Sequence, residues 1–278
     1  MTGRSPYGDE RTCAVLGSPI EHSLSPALHR AAYRALGLAW AYERHEVTDS
    51  GLAGFVDALG PRWRGLSLTM PCKVAAMTVG EPDPVATAVG VANTLVFDGD
   101  RRLAYNTDVG GLVDAVRAVG VSTIERAVLL GSGATARSAI VSLGRLGCRS
   151  VHVIARTPAR AAELTDLATA QGMTLTVAGW TTDVPDADLV LSTVTAGAAD
   201  GLAAAAAGAA PVVFDVVYDP WPTGLAAAAE AAGAAAVSGL DLLAHQAVGQ
   251  LRLMTGLEVD AEVLLSAGRA ELDRRAAR

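Results

Sequence analysis

The sequence predicts an α/β protein of two domains, the second a Rossmann-type, doubly wound dinucleotide-binding fold. Three observations carry this. Short apolar runs alternate with amphipathic stretches along most of the chain. A glycine-rich turn, Gly131-Ser132-Gly133-Ala134-Thr135-Ala136, joins an apolar run to a helical pattern. The length of 278 residues exceeds the roughly 150 expected of one domain.

Each element follows from its local pattern. Ala14-Val15-Leu16-Gly17 reads as a strand, and Pro26 to Leu36 as a helix with Ser25 as N-cap, Pro26 at its first position and Gly37 as its stop. Ala39 to Val47 reads as a strand, Leu52 to Leu59 as a helix, and Gly65 to Leu68 and Thr94 to Phe97 as further strands. Asp108 opens a helix over Val109 to Val119. Ala127 to Leu130 is a fully apolar strand running into the glycine-rich turn, and a helix follows to Leu146. Ser150 to Ala155 is a strand, Pro158 to Ala170 one helix, and Asp188 to Ser192 and Pro211 to Val216 two more strands. Ala203 to Ala210 reads as helical filler, since Ala loses no side-chain entropy in a helix. Helices over 239–256 and 260–278 close the chain. Domains are expected at 1–106 and 107–238, with the last helices, 239–278, returning to the first.

Composition removes several function classes. Hydrophobic residues make up 51% and charged ones 18%, which excludes a disordered chain. The net charge of −7 disfavours nucleic acid and anionic membranes as partners. No apolar run is long enough for a transmembrane helix, and the first residues lack the apolar stretch of a signal peptide. Cys13, Cys72 and Cys148 are odd in number and form no CxxC, so a reducing cytoplasm is expected rather than a disulfide framework. The five His show no ligand spacing, and no metal is expected.

Gly131, Gly133 and Ala136 form GxGxxA at a strand–helix junction. The first Gly permits the tight turn, the second lets backbone approach a pyrophosphate, and Ala lets helix and strand pack closely. The helix N-terminus offers N–H groups to phosphate. The alternative is a purely structural glycine turn. About 20 residues on, an NAD site usually carries a carboxylate. Here the next strand ends in Ala155-Arg156-Thr157-Pro158-Ala159-Arg160. Two guanidiniums around a Thr hydroxyl suit a 2′-phosphate, which points to NADP(H). Solvated arginines at a helix start are the alternative, and there they would oppose the helix dipole.

Polar clusters in the first half fall at expected strand ends, where α/β proteins bind ligands. Ser23 and Ser25 put two hydroxyls at a helix entrance, a setting for a small anion. Thr69 and Lys73 follow another strand, and Asn93-Thr94 and Asn106-Thr107-Asp108 flank others. Taken singly, the lysine reads as solvated surface and each polar pair as a turn or cap.

Taken together, they resemble the shikimate/quinate dehydrogenase family. Its GxPxxHSxSP motif appears as Gly17 to Pro26, its GxNVTxPxK motif as Gly65 to Lys73, and its AxNT and NTDxxG motifs as Ala92 to Thr94 and Asn106 to Gly111. The glycine-rich loop, RTxxR at Arg156 to Arg160, Asp215-Val216-Val217-Tyr218 and Gly239 to Gln246 follow in order. Three positions depart: Ser67 and Ala155 each stand where Asn is usual, and Ser192-Thr193-Val194-Thr195 stands where Asn-Ala-Thr is usual.

The resemblance implies an N-terminal substrate domain, a C-terminal NADP(H)-binding domain and reversible reduction of 3-dehydroshikimate to shikimate, a step of aromatic amino-acid biosynthesis. It implies Lys73 and Asp108 as the catalytic pair. Ser23 and Ser25 would hold the substrate carboxylate, and Thr69, Asn93, Asp108, Tyr218 and Gln246 its hydroxyls. Gly131, Ser132, Gly133, Ala134, Thr135, Ala136, Arg156, Thr157, Arg160, Val216 and Gly239 would lie on the cofactor side. A monomer or homodimer is expected. The alternatives are an NAD-linked quinate/shikimate dehydrogenase, a non-catalytic dinucleotide-binding paralogue, and a related two-domain enzyme such as a methylenetetrahydrofolate dehydrogenase. The second should lack the Lys or the Asp, and both are present. The third matches the SxSP and NTD motifs less well.

Overall fold

Short apolar runs bounded by Gly, Pro or charged residues become strands, and the stretches between them become helices. The computed structural model describes residues 10–277. They form two compact units. The first comprises the chain up to Gly111 and again from Leu243; the second is Leu112–Leu242.

In the first unit the order is β1 (Thr12–Gly17), α1 (Ser25–Ala35), β2 (Ala41–Glu46), α2 (Leu52–Asp57), β3 (Trp63–Leu68), α3 (Cys72–Val79), β4 (Glu81–Pro82), α4 (Pro84–Val89), β5 (Thr94–Asp98) and β6 (Arg101–Tyr105). The sheet order is β2-β1-β3-β5-β6-β4. β1 runs parallel to β2 and β3, whereas β5 is antiparallel to both β3 and β6. The β5–β6 hairpin turns through Gly99-Asp100, where Gly99 supplies a positive φ of 59°. Because β5 reverses direction, its first residue lies beside the ends of β3 and β6: Thr94 pairs with Ser67 and with Tyr105. That reversal collects the polar motifs at one edge of the sheet. One face buries Leu16, Leu66, Leu68 and Leu95 with Leu52, Val56, Cys72 and Ala76.

The chain leaves this unit within α5 (Asp108–Ala118). The second unit then contains β7 (Arg126–Leu130), α6 (Ala134–Arg145), β8 (Ser150–Ile154), α7 (Pro158–Ala162), α8 (Thr165–Ala170) and β9 (Thr174–Ala178). Next come β10 (Leu189–Ser192), α9 (Ala203–Ala209), β11 (Val212–Asp215), α10 (Gly224–Ala231) and β12 (Ala235–Val237). All pairings are parallel, in the order β12-β11-β10-β7-β8-β9. The order reverses between β7 and β10, which is where doubly wound sheets bind ligands. α11 (Gly239–Thr255) carries the chain back, and α12 (Ala261–Ala276) packs on α1. The expected boundaries at 106/107 and 238/239 mark the starts of α5 and α11. The compact units divide a few residues later, inside those helices.

Local expectations need correction in places. Ser25 is not the N-cap of α1: Leu24 occupies that position with no side-chain cap bond, and Ser25 lies buried in the first turn. The single helix expected over 158–170 is two, α7 and α8, although the sequence between them has neither Pro nor Gly. The alanines of 203–210 are core rather than filler. Ala203, Ala206, Ala207, Ala209 and Ala210 are all buried, and their small side chains let α9 lie against α10 and the sheet.

Candidate active site

The polar edge of the first sheet is built around a buried amide. Asn93, just before β5, is 1% exposed. Its Nδ2 donates to Asp108 Oδ1 at 2.8 Å and Gln246 Oε1 at 2.7 Å, with Thr107 Oγ1 at 3.0 Å. Its Oδ1 accepts from the Thr107 N–H at 2.8 Å and the Thr94 hydroxyl at 2.9 Å. Lys73, the second residue of α3, donates from Nζ to Asp108 Oδ2 at 2.6 Å. The Lys73 side chain is 14% exposed and that of Asp108 is 3% exposed. A carboxylate so buried requires bonds at both oxygens, and Lys73 and Asn93 supply them.

Two glycines explain how the elements come so close. A Cβ on Gly111, in α5, would sit 2.7 Å from the Gln246 backbone N of α11, so only Gly lets α5 and α11 cross there. That contact places Asp108 and Gln246 together. A Cβ on Gly17 would meet Thr69 Cγ2 at 2.4 Å and Met70 O at 2.8 Å, so the end of β1 packs directly on the residues after β3.

Sequence reasoning missed a second layer behind this cluster. The Tyr42 hydroxyl donates to Ser67 Oγ at 2.6 Å, and Ser67 Oγ donates to Gln250 Oε1 at 2.8 Å. Gln250 Nε2 then donates to Thr94 Oγ1 at 3.0 Å, closing a chain of buried bonds onto Asn93. Gln250 is one helical turn beyond Gln246. That i,i+4 spacing of two carboxamides is the signal that could have found it.

Ser23 and Ser25 lie before and at the start of α1. The Ser25 N–H donates to Ser23 Oγ at 3.3 Å, which uses an acceptor site of that hydroxyl and leaves its hydrogen available to an anion. Ser25 is 5% exposed and interacts with the Tyr42 phenol, whose pKa burial raises. Behind them His29 stacks on Tyr42 with ring centroids 4.0 Å apart. Burial lowers the His29 pKa to about 4, against the bond of its Nδ1 with Ser25 O. Tyr218, the remaining substrate-side candidate, is half-buried and belongs to the second unit.

In the second unit a pocket of about 230 Å³ is lined by Gly131, Ser132 and Gly133 on one side and Arg156, Thr157 and Arg160 on another. Ala155, Trp180 and Thr193 to Thr195 complete it, and no motif marks Trp180 as part of it. Gly131 has φ +103°, and a Cβ on it would meet Thr193 Oγ1 at 2.7 Å. A Cβ on Gly133 would meet nothing within 4 Å. Gly133 caps α6 with no side-chain bond, unlike Asp83 before α4, Thr223 before α10 and Asp260 before α12. No N-cap side chain therefore accepts from the first N–H groups of α6, and the space beside Gly133 is open, as a phosphate site requires. Ala134 and Thr135 open that helix, and Ala136 is fully buried against the sheet. Arg156 and Arg160 are exposed, and among the described residues neither is in an ion pair. The pocket thus has both parts a phosphorylated dinucleotide needs. Gly239 has another reason for its identity: a Cβ there would lie 1.9 Å from Val216 O.

Comparison with known proteins gives the family. Residues 15–95 match the family model described as the shikimate dehydrogenase substrate binding domain, and 115–199 match that of shikimate / quinate 5-dehydrogenase. A shikimate dehydrogenase (NADP(+)) of Methanocella arvoryzae is 36% identical, with 93% of this chain and 98% of that protein covered. The chain belongs to the shikimate dehydrogenase family. The crystal structure of Mycobacterium tuberculosis shikimate dehydrogenase is 42% identical with a TM-score of 0.87, covering 94% of this chain and 99% of that one. A Thermus thermophilus shikimate 5-dehydrogenase solved with NADP(H) and shikimate is 31% identical with a TM-score of 0.82, covering 94% and 99%. Within this family the Ser67 departure has a local explanation, since its hydroxyl is the link between Tyr42 and Gln250. Among the described residues no helix is long and apolar enough to cross a membrane, and no cluster could hold a metal ion.

Proposed function

We propose that this chain catalyses the reversible NADP-dependent reduction of 3-dehydroshikimate to shikimate. The observation that carries the reading is the Lys73–Asp108–Asn93–Gln246 cluster, a proton donor bonded to a buried carboxylate beside two carboxamides. Curated relatives across nearly the whole chain carry the same activity in their names.

NADPH, when held by the second unit, would supply the hydride that the C3 carbonyl carbon accepts. The carbonyl π electrons move to oxygen, and the alkoxide that develops needs positive charge and a proton. The Lys73 ammonium provides both, and in reverse its neutral amine takes the proton from the alcohol. Asp108 fixes the Lys73 side chain by the 2.6 Å bond and accepts from a ring hydroxyl. Asn93, held at both ends by protein bonds, orients Asp108 and Gln246 and presents a rigid polar wall to the ring. Thr69 and Tyr218 serve further hydroxyls, and Ser23 and Ser25 the carboxylate. On the cofactor side, the open N-terminus of α6, with residues Gly131 to Ala136, holds the pyrophosphate. Arg156, Thr157 and Arg160 would hold the 2′-phosphate, and Val216 and Gly239 would serve the nicotinamide side.

The test is loss of reduced-nicotinamide absorbance with 3-dehydroshikimate, repeated with NADH and with 3-dehydroquinate. Turnover confined to NADPH and 3-dehydroshikimate supports the proposal. Comparable turnover with NADH and 3-dehydroquinate replaces it with the NAD-linked quinate/shikimate activity.

A further inference from the structure

The loop that carries Ser23 is held by the opposite end of the chain. Arg275, in the last turn of α12, donates from Nη1 to the His22 carbonyl at 2.8 Å and from Nη2 to the Ser23 carbonyl at 3.3 Å. These two carbonyls belong to the peptide planes on either side of the Ser23 Cα. Pinning both fixes φ and ψ of Ser23, and with them the direction of its Cα–Cβ bond. Arg44 donates to the Glu21 carbonyl, so three consecutive carbonyls of this loop are held by guanidiniums.

Arg275 is itself anchored. Its Nε donates to Glu271 Oε1 at 2.9 Å, one turn earlier on α12. The Arg274 and Arg275 guanidiniums lower the Glu271 pKa to about 2, so that carboxylate stays charged at any working pH. Each nitrogen of the Arg275 guanidinium thus has a fixed acceptor, a use of the planar fork that a lysine cannot reproduce.

We propose that Arg275 is a positioning residue for recognition of the substrate carboxylate, acting through Ser23. The inference rests on the substrate assignment made above. Arg275 does not touch the substrate in this scheme. It holds the Ser23 hydroxyl where the carboxylate will arrive, so binding spends no free energy ordering the loop. A pocket of the first unit, of about 230 Å³ and separate from the one beside Gly131, is lined by Ser23 and Arg275 together with Arg30, Arg44, Arg274 and Glu271. A diffuse effect of positive charge is therefore the competing explanation, and the variants below separate the two.

The experiment compares steady-state constants for 3-dehydroshikimate at saturating NADPH, with thermal melting to confirm folding. Arg275→Ala should raise KM about tenfold, the loss of roughly one well-placed bond to a charged group, with kcat nearly unchanged. Arg275→Lys should behave like Arg275→Ala, since it keeps the charge and loses the fork. Arg274→Ala, which removes an equal charge without touching the loop, should leave KM at the wild-type value. Adding Arg275→Ala to Ser23→Ala should change KM no further, because a residue acting through Ser23 has nothing left to position. Full recovery in Arg275→Lys, an equal KM rise in Arg274→Ala, or independent multiplication of the two effects in the double variant overturns the proposal. If Ser23→Ala itself leaves KM unchanged, the carboxylate assignment fails instead. If the wild type does not reduce 3-dehydroshikimate, the functional reading fails.

Discussion

The two units make their candidate sites from different material. In the first, nearly every group is a side chain, and each is held by another: Lys73 by Asp108, Asp108 by Asn93, Asn93 by Thr94 and Thr107. In the second, the central part is backbone, a helix N-terminus behind Gly131 and Gly133, with exposed arginines at its rim. A side-chain site depends on which atoms are present, so one substitution removes a reacting group. A backbone site depends on what is missing, and is spoiled by adding a methyl group. Glycine therefore has two meanings, and the second unit uses both, since Gly131 and Gly239 there also permit close approach. Gly111 and Gly17 in the first bring elements together so that side chains meet, whereas Gly133 in the second keeps space open.

The largest effect should come from the first unit. Lys73→Ala should lower kcat by about 10²-fold or more with little change in KM, because it removes a proton donor needed in the transition state. It also leaves Asp108 buried without its counter-charge, so melting must be measured alongside. Near-wild-type turnover would remove Lys73 from the mechanism. Next in size is the rim of the second unit. Replacing Arg156 and Arg160 together by Ala should cut kcat/KM for NADPH by about 10²-fold or more, at about 1.5–3 kcal/mol for each bond to a charged group, and alter NADH little. Equal loss with both cofactors would show that the arginines do not read the 2′-phosphate.

The contrast also governs what could be read from sequence. GxGxxA is legible because a backbone site leaves glycines in fixed order where strand meets helix, and β7 and α6 lie on either side of it. The first-unit cluster gives no such local mark. Asn93, Asp108 and Gln246 are up to 153 residues apart and meet only because β5 runs antiparallel and Gly111 lets α5 touch α11. Singly they read as turns and caps, and only the family resemblance joined them. Ser67 reads only as a departure from Asn because its partners, Tyr42 and Gln250, lie 25 and 183 residues away. β6 and β9 escaped notice for a physical reason: one begins with two arginines and the other alternates exposed threonines, so neither shows a long apolar run. Ser25 had the chemistry of a cap, but burial drew it into the helix instead.

Alanine at two glycines of the second unit sharpens the distinction between space kept open and space filled. Gly239→Ala should destabilise the protein by about 1–3 kcal/mol or more, since its Cβ would overlap the Val216 carbonyl and backbone cannot rotate away as a side chain can. Gly133→Ala should leave the melting temperature nearly unchanged and weaken NADPH, because its Cβ meets no protein atom but occupies the approach to α6. Similar melting losses in both, or unimpaired NADPH binding in Gly133→Ala, would contradict this account.

The smallest effect expected is a difference in acid sensitivity between the units. Burial lowers the His29 pKa from 6.5 to about 4, and Nε2 has no hydrogen-bond partner among the described residues. Its folded pKa lies below its unfolded one, so between these values the unfolded chain binds the extra proton. Stability from this group is complete above pH 6.5 and falls as pH drops toward 4. By one pH unit below 6.5 the loss is about 1.4 kcal/mol. The second unit contains the opposite case. Burial raises the pKa of Asp215, against bonds from Thr223 and the Val217 N–H, so its folded form holds a proton more firmly than the unfolded chain. Acidification through the window above 3.8 therefore adds stability at Asp215 while it removes stability at His29. His29→Phe keeps a ring against Tyr42 and has nothing to protonate. Denaturant melts of wild type and His29→Phe at neutral pH and one unit below 6.5 should show the wild type losing about 1.4 kcal/mol more than the variant. Amide exchange should place the early loss in α1 and β2, with β10 and β11 still protected. Parallel losses in both proteins, or exchange that begins around Asp215, would mean that His29 does not set the acid limit of the first unit.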